Sequence, residues 1–101
     1  MRLTPEQAAI IRSAAAEAFG SDARVWLFGS RVDDAKRGGD IDLLVQTTQT
    51  QPDALASASI AMLARLYRAL GEQKIDVVLD APVHGATRAI VTTAKTTGVL
   101  L

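Results

Sequence analysis

The sequence predicts an α/β (α+β) domain, a mixed β-sheet flanked by helices. Three observations point there. Apolar residues recur at helical spacing over Pro5–Phe19 and Asp53–Leu70. Short, largely apolar runs at Arg24–Phe28, Asp40–Gln46 and Ile75–Leu79 read as strands. Along the chain the element types alternate as α-β-loop-β-α-β-α, with a short closing strand. At 101 residues, 49% hydrophobic and 22% charged, the expectation is one domain over residues 1–101 with a modest core.

Each element has a local cause. Thr4 with Gln7 forms a capping-box pair, and Pro5 takes the favoured first helical position. Ala8, Ile11, Ala15, Ala18 and Phe19 mark the buried face of this first helix, and Gly20 stops it. Val25, Trp26, Leu27 and Phe28 are continuous rather than alternating, which suits a strand covered on both faces. That run ends abruptly at Gly29-Ser30. Residues 31–39, rich in charge and closing with Gly38-Gly39, read as a turn or short helix plus loop. Ile41, Leu43, Leu44 and Val45 make a second strand with two aspartates inset, and Thr47–Gln51 is a polar linker. Leu55, Met62, Leu63, Leu66 and Leu70 form the stripe of the second helix, which Gly71 stops; the stripe serves the core first and an interface second. Residues 85–97 read as a third helix, weakened by Thr92, Thr93, Thr96 and Thr97. Gly98 ends it, and Val99–Leu101 close the chain as a strand.

Composition narrows the function. Eleven Lys+Arg balance eleven Asp+Glu, so no basic excess points to direct nucleic-acid binding. Without cysteine there is no disulfide, thiol catalysis or Cys-ligated zinc, and a single histidine excludes a multi-His metal site. No run approaches the roughly 18 apolar residues of a membrane span, and Arg2 and Pro5–Gln7 interrupt any leader-like stretch. The expectation is a soluble, cytoplasmic domain.

The informative stretch is Leu27-Phe28-Gly29-Ser30-Arg31 followed by Gly39-Asp40-Ile41-Asp42-Leu43. Residues two apart on a strand share a face, so Asp40 and Asp42 are expected to project together while Ile41 and Leu43 enter the opposite layer. Two like charges side by side on a buried-looking strand are costly. A divalent cation removes that cost, and Mg²⁺ favours one or two carboxylates with substrate phosphates. A glycine directly after a strand lets backbone approach a ligand, and the Ser30 hydroxyl with the following amides can hold phosphate oxygens. Arg31, Lys36 and Arg37 add positive charge nearby. A phosphate cradle on one strand and a carboxylate pair on another are the parts of a phosphoryl or nucleotidyl transfer site. Asp76, within Lys74-Ile75-Asp76-Val77-Val78-Leu79, is the candidate third carboxylate. Its bland alternative is a structural acid paired with Lys74 or an arginine. Ser30 has the alternative of a turn or cap serine, and Trp26 reads equally as core or as packing beside an adenine. Asp80 reads as a turn residue, Tyr67 as partly buried packing, and His84 as a cap or surface residue.

This constellation resembles the minimal nucleotidyltransferase (MNT) family of the DNA polymerase β-like superfamily. The pattern is a strand, Gly-Ser, a spacer, Asp-x-Asp, and a third acid on a later strand. Gly29-Ser30, Asp40-Ile41-Asp42 and Asp76 match it. The spacer between Ser30 and Asp40 is nine residues, one shorter than the commonest version, and Gly39 stands where serine is frequent. The resemblance covers nearly the whole chain and implies the minimal nucleotidyltransferase fold. It also implies that Gly29 and Ser30, with Arg31 beside them, contact NTP phosphates, and that Asp40, Asp42 and Asp76 are catalytic and hold Mg²⁺ or Mn²⁺. ATP or another NTP would be the substrate, with NMP transferred and pyrophosphate released. Larger members carry an acceptor-binding domain, for which 101 residues leave no room, so the expectation is an acceptor supplied by a partner, or none. Minimal members often pair with a small helical HEPN-type protein, as antitoxin to its toxin, and in some systems add AMP to it. The competing readings are a contact-only, non-catalytic nucleotide-binding module and a transferase for a small molecule. A homodimer or hetero-complex fits either protein-binding reading.

Overall fold

The capping box at Thr4 forms. Gln7 donates its backbone N–H to Thr4 Oγ1 at 3.1 Å, and Thr4 donates its own to Gln7 Oε1 at 3.0 Å. This sets the start of α1, Pro5–Phe19. In this computed structural model, residues 3–29, 40–71, 73–82 and 88–101 are described. Then come β1 (Arg24–Phe28), β2 (Ile41–Gln46), α2 (Pro52–Leu70), β3 (Ile75–Asp80), α3 (Arg88–Thr97) and β4 (Val99–Leu100). The expected order stands, with small shifts at the ends. Pro52 opens α2 because its missing N–H has no helical partner at that position. β2 begins one residue later than expected, at Ile41, leaving Asp40 just ahead of it.

The strands form one mixed sheet in the order β3-β2-β1-β4. β1 pairs antiparallel with both β2 and β4, and β2 pairs parallel with β3. Parallel neighbours need a long crossover, and α2 supplies it.

Register divides the sheet into two faces. Val25, Leu27, Ile41, Leu43, Val45 and Ile75 point to one side, where they pack with Ile11, Ala14, Ala15, Met62 and Leu66 of α1 and α2. This is the core, and most of these side chains are wholly buried. The alternate residues, Trp26, Phe28, Asp42, Leu44, Gln46, Asp76, Val78 and Asp80, share the other face. Leu44 is fully buried there, and so is Ala94 of α3. The fold therefore commits one face to apolar packing and leaves a carboxylate-bearing face for chemistry.

Candidate active site

The pairing registers bring the acids together. In the parallel ladder Asp42 is the direct partner of Asp76, and in the antiparallel ladder it is the partner of Phe28. The residue after Phe28 is Gly29, whose φ of +77° lies in the left-handed region. A side chain at this glycine would run into Asp42 Oδ2, and its Cβ would stand 3.2 Å from Asp42 Cγ. Only glycine combines that backbone conformation with so close an approach. Gly29 thus abuts Asp42, the middle carboxylate of the set.

Asp40 sits immediately before β2. Ile41 donates its N–H to the Lys74 carbonyl at 2.9 Å, which holds the starts of β2 and β3 side by side. The Lys74 ammonium lies 3.6 Å from Asp40 Oδ2, with both side chains substantially exposed. Such a pair is weak in water, so it leaves Asp40 available to another cation. Among the described residues, the acid paired with Lys74 is Asp40 rather than Asp76. Asp76 itself is exposed.

Asp42 feels the cluster electrostatically. Burial pushes its carboxyl above the usual carboxylate range, and the negative charges of Asp76 and Asp40 push it further. The Lys74 ammonium pulls the other way, and a side-chain hydrogen bond with Asp76 adds to the rise. Asp42 lies on the face opposite Ile41 and Leu43, as expected, whereas Asp40, expected beside it on the strand, precedes β2. Among the described residues, no group of three His, Cys, Asp or Glu side chains converges as a ready-made metal cage.

Other residues sort by position. Asp80 is the last residue of β3 rather than a turn residue. Lys95 reaches it at 2.8 Å and lies 5.1 Å from the centre of the Trp26 ring. Thirty-four residues away in sequence, Gln46 donates to the same carboxylate at 3.5 Å. This ion pair occupies the end of the face remote from Asp42 and Asp76, so Trp26 packs beneath a lysine. Tyr67 is 44% exposed, where partly buried packing was expected. With Gly71, Gln73 and Lys74 it lines a cavity of about 530 Å³ at the start of β3. Sequence reading gave Tyr67 only as packing and Lys74 only as a partner for Asp76. The available signal was parity, because Lys74 and Asp76 are two apart. Ser30, Arg31, Lys36, Arg37 and His84 lie outside the described residues.

No helix among the described residues is long and apolar enough to cross a membrane. No curated protein matches the chain, and no solved structure does. The family model described as a nucleotidyltransferase domain matches residues 9–94, a span that runs from α1 through both acidic strands into α3. By that match, the chain belongs to the nucleotidyltransferase domain family of the polymerase β-like superfamily.

Proposed function

We propose that this chain transfers a nucleoside monophosphate, AMP from ATP, to a hydroxyl of a partner polypeptide. The observation that supports this most is the register of Asp42 against Asp76, with Gly29 in contact with Asp42. It sets two carboxylates beside the start of a turn suited to phosphate, as the family's chemistry requires. The donor set suits a hard divalent cation. Asp40, Asp42 and Asp76 offer only carboxylate oxygens, and Asp42 is loaded with like-charge repulsion that a cation would relieve. These three residues would hold Mg²⁺, or Mn²⁺ in its place. When bound, the ion supplies neutralisation of charge developing on the phosphate oxygens.

The remaining roles belong to the chain. The Gly29-Ser30 turn, with Arg31 beside it, holds the β- and γ-phosphates. Asp76 accepts the proton of the attacking hydroxyl. The new bond joins that oxygen to the α-phosphorus, and pyrophosphate leaves with the electron pair of the broken bond. The resemblance to minimal nucleotidyltransferases supports a HEPN-type protein as acceptor and an antitoxin role toward it. A second reading, a nucleotide-binding module that neutralises its partner by contact alone, is favoured by one fact. The described carboxylates do not form a ready-made metal cage.

The test is label transfer in host extract with Mg²⁺ and α-labelled ATP, with γ-labelled ATP and Asp40→Asn as controls. A protein band carrying only the α-label and lost in Asp40→Asn is the expected result. Capture of a specific partner without label would favour the contact-only module.

A further inference from the structure

We propose that Lys74 is a resident counter-cation of the acid cluster: its ammonium competes with the divalent ion for Asp40 and so sets the ion concentration to which the site responds. This rests on the divalent-ion reading above and adds to it a residue that is not itself a ligand.

The backbone brings Lys74 to the acids. Ile41 and Ile75 are partners in the parallel ladder, and Ile41 donates its N–H to the Lys74 carbonyl at 2.9 Å. Asp40 and Lys74 stand one step before that pair on the two chains, as Asp42 and Asp76 stand one step after it. The ammonium accordingly comes within 3.6 Å of Asp40 Oδ2. Its charge also reaches Asp42, and among the described residues it is the one cation that does.

Its setting suits a placeholder better than a brace. The lysine side chain is 69% exposed and that of Asp40 48%, and ion pairs in such a setting contribute little to stability. Lys74 joins the start of the ladder through its carbonyl, so its side chain can swing away and leave that bond intact. Lysine also carries a compact charge on a flexible stem, without the planar fork by which arginine clamps a carboxylate.

The ammonium opposes an incoming ion. A divalent ion held by the acids must share Asp40 with it or drive it off, and the two cations repel across a few ångströms of solvent. Asp40, Asp42 and Asp76 still outnumber one lysine, so a net attraction for the ion remains, weakened. The strand order puts Lys74 on the β3 side of β2 and Gly29 on the β1 side. The lysine therefore stands with the ion's ligands and not at the turn assigned to the phosphates. The sign of the effect is diagnostic. Loss of a bracing lysine loosens the acids and weakens ion binding, whereas loss of a competing lysine tightens it.

The test uses the full chain at low salt with Mn²⁺ alone as the probe, the free ion being counted by its paramagnetic resonance signal. Wild type, Lys74→Met, Lys74→Gln, Lys74→Arg and Asp42→Asn are compared, each first checked for a cooperative melt. Two uncharged replacements are used so that either decides if the other fails to fold. The expected result is Mn²⁺ bound about tenfold more tightly by Lys74→Met and Lys74→Gln, the scale of one charge acting on a divalent ion at roughly 6 Å in water. Lys74→Arg should stay within about threefold of wild type. The gap should narrow in about 1 M KCl, where the Debye length falls to about 3 Å. Saturating Mn²⁺ should raise the melting temperature of the uncharged variants more than that of wild type, by linkage. Unchanged or weaker Mn²⁺ binding by the folded, uncharged variants overturns the competition and leaves the acid site standing. Equal tightening in Lys74→Arg overturns it too, because charge then plays no part. Wild type that binds Mn²⁺ no better than Asp42→Asn removes the divalent-ion reading of the acids itself, before any lysine variant is compared.

Discussion

Gly29→Ala probes the closest contact of the site. Two costs follow from the geometry. An L-residue in the left-handed region is disfavoured by roughly 1–2 kcal/mol, and φ here is +77°. The added methyl also meets Asp42 Oδ2, with Cγ at 3.2 Å and Cβ at 3.4 Å. Turning the carboxylate about its last bond moves Oδ2 but leaves Cγ in place, so the crowding persists at about 1–3 kcal/mol, as for other overpacked sites. The variant should therefore lose about 2–5 kcal/mol in urea unfolding, where each kcal/mol is worth roughly 4–8 °C in Tm for a chain of this size. A double-mutant cycle with Asp42→Ala separates the two parts. In the Asp42→Ala background Gly29→Ala should cost only its strain, giving a coupling of about 1–3 kcal/mol. Gly20→Ala is the control, strained at φ +110° but at the other end of β1. It should lose stability and keep label transfer, whereas Gly29→Ala should lose both. Additivity within about 0.5 kcal/mol, or full transfer by Gly29→Ala, would refute the claim that this glycine exists to admit Asp42.

Three further outcomes follow. Because the folded state raises the Asp42 carboxyl, the native chain binds more protons just above the ordinary carboxylate range, and stability falls as pH rises through that window; Asp42→Asn should flatten this part of the urea-midpoint profile and raise stability at neutral pH. Mg²⁺ at about 100 times its Kd should raise wild-type stability by about 2.7 kcal/mol and leave Asp42→Asn unmoved; equal shifts in both would place the ion elsewhere. Lys95→Met should cost about 1 kcal/mol, since its pair with Asp80 is part-buried and its ammonium faces the Trp26 ring, while ATP-analogue binding stays unchanged because the pair is at the far end of the face.

Much of this molecule was legible in its residues. β1 was readable because four apolar residues stand together and end at Gly29. α1 was readable because its cap, first-turn proline and terminal glycine all agree. Parity on β2 correctly assigned Asp42 to the face opposite Ile41 and Leu43. What the sequence could not supply was pairing across strands. The register that sets Asp42 against Asp76 spans thirty-four residues and depends on where α2 returns the chain. The same limit hid the partner of Asp80, because Lys95 arrives on α3 after a connection whose length says nothing of its direction. Tyr67 was misread because it lies next to Leu66 in a strongly apolar helix. The helix turns it away from the core while Leu66 is fully buried.

The most direct measurement counts products. Purified chain, Mg²⁺, ATP labelled on the α-phosphate and the unmodified polypeptide acceptor are incubated, and pyrophosphate, ADP and orthophosphate are quantified separately against label incorporated. The account predicts one pyrophosphate for each AMP attached, and loss of both in Asp42→Asn and Asp76→Asn. ADP release with the label on the acceptor in a parallel incubation with γ-labelled ATP, or undiminished labelling by Asp76→Asn, would contradict it.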